Sequence, residues 1–162
     1  MRYPGSLEPQ ERNDTGGRGY IAGSIEKSGN ESLLSAEFRE CASVRYFKEE
    51  LTVGPDTTNF ILGAMIRDRI AEKGDSNIFS FTILGRRDPD IEFDTESLMK
   101  EGRIVEISDE TEPDYDFDRL YIENRDNIIG KFIEKMRAET ADEELRRKAL
   151  DYGITALFRE KK

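Results

Sequence analysis

The chain has 162 residues, 36% apolar and 37% charged, with a net charge of -10 and no histidine. That length suits one domain of ordinary size with a modest core, and no run approaches the 18 apolar residues of a membrane span. The commonest general base and zinc ligand are missing. The acidity argues against a general basic groove for nucleic acid but leaves room for a local basic patch.

The charge is unevenly placed. Residues 75–123 carry 5 basic and 15 acidic side chains, which alone accounts for the whole net charge. Residues 1–31 are rich in Gly, Ser, Asn and Pro and poor in large apolar groups. Such a segment buries too little to offset its ordering entropy, so a flexible tail is expected there. Its glycines, Gly17, Gly19 and Gly23, do not follow the G-x-G-x-x-G spacing of a phosphate loop. The opening MRYPGSLEPQ lacks the apolar stretch of a secretory signal. Cys41 is the single cysteine, so no intrachain disulfide can form and a cytoplasmic location is expected.

A first helix is expected from Ser35, because Leu34, Phe38, Cys41, Val44, Phe47 and Leu51 recur at three- and four-residue steps. Gly54-Pro55 stops it, and Asp56 or Thr57 can cap a second helix. Phe60, Ile61, Leu62, Ala64, Met65, Ile66 and Ile70 predict that this second helix is buried on several sides. Gly74 ends it. Ile78–Leu84 and Arg103–Ser108 are short apolar blocks open to a small hairpin-like unit. Between them, 94–101 reads as a turn or two of helix.

Residues 109–118, DETEPDYDFD, read as an exposed acidic loop. Asp114, Asp116 and Asp118 alternate as in a calcium loop, but Arg119 and Arg125 stand where glycine and glutamate are required. Two helices close the chain. One carries Ile128, Ile129, Phe132, Ile133 and Met136. The other follows a Thr140-x-x-Glu143 capping box and carries Leu145, Ala149, Tyr152, Ala156 and Leu157. Gly153 inside it marks either a close approach or a break, since glycine costs about 1 kcal/mol there relative to alanine.

No nucleophile elbow, Walker loop or Cys-x-x-Cys is present. Pro89-Asp90 has no acid-x-lysine partner except Glu160-Lys161-Lys162, and Cys41 has no base to activate it. The chain therefore reads as non-catalytic, with no cofactor and no metal. Binding or scaffolding remains, and the cations available to an anion are Arg45, Lys48, Arg67, Arg69, Lys73, Arg86, Arg87, Arg146, Arg147 and Lys148. Of these, Arg67, Arg69, Arg146, Arg147 and Lys148 are the candidates for DNA-backbone contact. The competing reading is of ordinary solvated helix faces, which Glu143 and Glu144 beside the last cluster favour.

Ser35-Ala36-Glu37-Phe38, then Leu51-Thr52-Val53-Gly54-Pro55 and the apolar helix ending Ile66-Arg67-Asp68-Arg69-Ile70, resemble the front half of the DndE family of DNA phosphorothioation proteins. Ala149–Leu157 resembles that family's terminal helix. The resemblance covers about half the chain and rests on structural motifs. It implies a mainly α fold with a ribbon-helix-helix-like core, and an accessory role beside the sulfur-transfer components of a DNA-modification complex. It also implies protein subunits as partners, and leaves contact with duplex or nicked DNA and homo-oligomer formation open. Any such DNA contact is implied to run through a lysine-rich surface, from which this acidic chain departs. The expected organisation is thus a tail over 1–31 and one compact helical domain over 32–162, with an acidic and in part β insert at 75–123. Two other classes compete with an accessory subunit. One is a small DNA-binding regulator of ribbon-helix-helix or helix-turn-helix type. The other is an acidic inhibitor or DNA mimic acting through residues 88–118.

Overall fold

A computed structural model describes residues 4–139 and 142–159. The chain is mixed α/β, not mainly helical: it runs β1 (Gly19–Ser28), β2 (Glu31–Glu40), β3 (Tyr46–Val53), α1 (Asn59–Lys73), β4 (Ile78–Arg87), α2 (Thr95–Leu98) with a 3-10 turn at Met99–Glu101, β5 (Ile104–Asp109), β6 (Glu112–Pro113), α3 (Phe117–Glu123), α4 (Ile128–Ala138) and α5 (Glu143–Arg159). It groups into two units. The first takes residues up to Thr52, Asn59–Ile83 and Phe93–Asp109, and the second takes Val53–Thr58, Leu84–Glu92 and the chain from Glu110 onward. The acidic stretch at 75–123 is divided between them.

In the first unit, β1 and β2 form an antiparallel hairpin paired from Gly19↔Glu40 to Ser28↔Glu31. The hairpin lies where the sequence predicts the end of a tail and the start of a helix. Residues ahead of it are tied down by side chains. Glu8 accepts from the Ser43 backbone N–H at 2.9 Å and from its hydroxyl at 2.6 Å, and Asn13 accepts from Lys48 at 2.6 Å. These hydrogen bonds hold the Glu8 carboxyl below its ordinary range, the Ser43 hydroxyl contributing most.

The strands β3, β4 and β5 lie in that order. Ile78 N–H donates to Arg45 C=O at 2.9 Å, and the Phe47 and Phe79 rings stack at 5.6 Å, which sets β3 beside β4. The pairing of β4 with β5 is parallel, from Phe79↔Ile104 to Ile83↔Asp109. Parallel neighbours need crossover connections, and α1 and the α2 segment supply them. Along β4 the buried positions alternate as Phe79, Phe81 and Ile83, the period of a strand.

The first predicted helix is therefore strand. Its apparent three- and four-residue spacing arises because β2 and β3 each have period two, while the loop 41–45 resets the phase between them. The second predicted helix is present as α1, and Gly74 closes it with a φ of 99°. Its burial is narrower than expected. Leu62, Ile66 and Ile70 form one stripe at four-residue steps, whereas Phe60 is 80% exposed and Ile61 is exposed as well. Thr57 turns back on the preceding loop, its Oγ1 accepting from Gly54 N–H at 3.0 Å.

The second unit holds α3, α4 and α5 around Ile129, Ile133, Leu150 and Ile154, with Phe117, Leu120, Phe132 and Leu157 against that core. The buried stripes are rotated from the predicted ones, since Ile128, Leu145 and Tyr152 are exposed. Asp116 caps α3 by accepting from the N–H groups of Asp118 and Arg119, and Asn127 caps α4 by accepting from Ile129 and Gly130. Side-chain oxygens of this kind satisfy helix N–H groups that have no partner within the helix. Gly153 is a close approach and not a break: a Cβ there would meet the Phe132 ring at 2.2 Å. The predicted capping box, through Thr140, and the Glu160-Lys161-Lys162 triplet lie outside the described residues.

Candidate anion-binding cleft

The second unit contains the segments at and beyond the carboxyl-terminal ends of β3, β4 and β5. What stands there is charged. Arg86, in the pair Arg86↔Glu112 between β4 and β6, reaches three carboxylates: Asp151 at 3.0 Å, Glu112 at 3.2 Å and Asp114 at 3.5 Å. Burial works against its charge, and the hydrogen bond to Asp151 with the fields of Asp151, Glu112 and Asp114 outweighs it, so the guanidinium is held above its ordinary range. Arg87 closes the following loop by donating to the Ile91 carbonyl at 2.6 Å.

Asp114 also receives Arg147, at 3.0 Å. Arg147 also lines an open cleft of about 520 Å³, together with Tyr115, Phe117 and Leu150 and the charged Asp116, Asp118, Arg137 and Arg146. Every lining charge but one is occupied. Asp116 is spent on the α3 cap. Arg137 bonds Asp118 at 2.5 Å and lies 5.4 Å from the centre of the Tyr121 ring, a cation–π distance. Arg147 is held by Asp114. The Arg146 side chain has no ion-pair or hydrogen-bond partner among the described residues. An uncommitted guanidinium that shares a cleft with two others suits a planar or tetrahedral oxyanion.

The other sequence candidates are occupied. Arg67 pairs with Glu101 at 2.9 Å, and Arg69 with Glu72 at 3.1 Å and Glu49 at 3.9 Å, all in the first unit. Lys148 bonds Glu144 at 2.8 Å one turn along α5. That hydrogen bond is the main cause that raises the ammonium's pKa and lowers that of Glu144. Arg45 pairs with Glu40, and Lys73 with Glu72. The structure thus gathers Arg146 and Arg147 and adds Arg137, in the last turn of α4, which is not among the sequence candidates. The aspartates of the calcium-like pattern go to three different tasks, an ion pair, a helix cap and a bond to Arg137. No helix of the described residues is long and apolar enough to cross a membrane.

Comparison with protein-family models, curated proteins and solved structures gives no match.

Proposed function

We propose that this chain is a non-catalytic binding subunit that contacts the phosphate backbone of nucleic acid through the Arg137–Arg146–Arg147 cleft, as an accessory component of a DNA-modification or defence complex. The observation that carries the reading is Arg146, a half-buried side chain lining the cleft with no partner among the described residues, beside two arginines already oriented by carboxylates. Such a group gives up no existing ion pair when it takes a phosphate. The net charge of -10 repels duplex at long range, but screening over about 8 Å at physiological salt lets the cleft act locally. Carboxylates at the rim keep the expected affinity low and strongly dependent on salt.

The accessory role rests on the resemblance of 51–70 and 149–157 to the DndE family. The residues Ser35–Phe38 that also carried it lie in β2, and the fold is not the helical one that the resemblance implies. A ribbon-helix-helix regulator loses its basis for the same reason, because the β1–β2 ribbon leads into a third strand. Anisotropy of labelled duplex, intact and nicked, across a salt series tests the reading. Sequence-independent binding that weakens steeply with salt is the expected result.

A further inference from the structure

We infer that the β1–β2 hairpin is a self-association arm, in which the open edge of β1 pairs antiparallel with the same edge of a second copy. Two ten-residue strands pair only with each other in the described residues, and an isolated two-stranded ribbon is marginal in water. The loop is two residues, Gly29-Asn30, and φ is positive at Gly29 and not at Asn30, the pattern of a type II′ turn that matches strand twist. This arm is built to stay paired, yet it leaves an edge open.

That edge has a definite chemistry. Cys41 N–H donates to Arg18 C=O, so the next pair, Gly19↔Glu40, is a non-hydrogen-bonded one and the alternation runs up the ribbon. The N–H and C=O groups of Ile21, Gly23 and Ile25 therefore point away from β2. From Gly19 to Ile25 the strand has no charge, no proline and no bulge, none of the devices that protect an exposed edge. The outer edge of β2 is different, because Glu31, Glu37 and Glu40 against Arg39 leave it at -2 and self-pairing there brings like charges together. Strand β1 carries Glu26 and Lys27 and is neutral.

One register satisfies every group. A two-fold axis at Gly23 sets Ile21 opposite Ile25 of the second copy, and Ala22 opposite its Ser24. One row across the four strands then reads Phe38, Ile21, Ile25, Leu34, an unbroken apolar line. Ile25 and Leu34 are 66% and 69% exposed in the single chain. In the flanking row Glu26 of one copy comes opposite Tyr20 of the other, with Arg39 beside it, so the charges are complementary. The product is a four-stranded antiparallel sheet with one apolar face, the size at which such sheets hold together.

Sedimentation of the full chain, and disulfide trapping in a Cys41→Ser background, test this. The parent is expected to sediment at twice its 18.6 kDa mass at micromolar concentration, and Ile25→Lys at the single mass with unchanged circular dichroism. Ala22→Cys and Ser24→Cys proteins, mixed and oxidised, are expected to yield the mixed disulfide far above either protein alone, because non-hydrogen-bonded pairs bring Cβ atoms within bridging reach. A parent that stays monomeric throughout, an Ile25→Lys variant that dimerises like the parent, or self-linked 22–22 or 24–24 products in excess would each overturn the inference.

Discussion

Arg86 donates to Asp151 Oδ2 at 3.0 Å, joining the end of β4 to the middle of α5 inside the second unit. Asp151 is 7% exposed, so the aspartate meets its cation away from bulk water. Its other oxygen has no hydrogen-bond partner among the described residues. A buried carboxylate of this kind is tolerable only while the guanidinium stays.

Removing one member should hurt far more than removing both. Arg86→Leu is expected to cost about 3 kcal/mol, because it leaves Asp151 buried and uncompensated, whereas Arg86→Leu with Asp151→Leu should recover most of that loss. Urea unfolding of the three proteins measures it. A single variant as stable as the parent would show that the pair is not a structural lock.

The narrow stripe of α1 makes a second expectation. Ile66 is fully buried and Phe60 is 80% exposed, six residues away on the same helix. Ile66→Asp is expected to cost several kcal/mol and unfold the first unit, since an unpaired charge enters a dry site. Phe60→Asp should change stability by less than about 0.5 kcal/mol. Equal melting of the two variants would place the core elsewhere.

The pH response follows from which groups titrate. Hydrogen bonds hold Glu8, Asp14, Glu72, Asp94 and Glu144 below the ordinary carboxylate range. A carboxylate depressed in the folded state stabilises above its unfolded pKa of about 4, and that contribution is lost as pH falls through the folded value. With no histidine in the chain, nothing in this set titrates between pH 6 and 8. The melting temperature is therefore expected to be flat across neutral pH and to fall in the acid range below about pH 4. A drop between pH 7 and 6 would contradict this.

The helices were legible where their own residues carry the signal. Gly74 at the end of α1 and the repeats of α4 and α5 act within a few positions of chain. The hairpin was not, because the partner of Ile21 is Phe38, and a strand's alternation is blurred when small residues such as Ala22, Gly23 and Ser24 fill it. Arg146-Arg147-Lys148 stands out in the sequence as a basic cluster. Which of the three is free is not legible there, since Arg147 is bound by Asp114, 33 residues away, and Lys148 by Glu144 on its own helix. Partner assignment is a property of the folded chain.

The most direct measurement is the slope of log affinity against log salt for duplex binding, by fluorescence anisotropy, in the parent, in Arg137→Ala with Arg146→Ala, and in Lys148→Ala. Each lost phosphate contact lowers the slope by about one, so the double variant is expected to lose about two units while Lys148→Ala keeps the parent slope. A double variant with the parent slope, or a parent that binds no duplex at low salt, would contradict the nucleic-acid role proposed for the cleft.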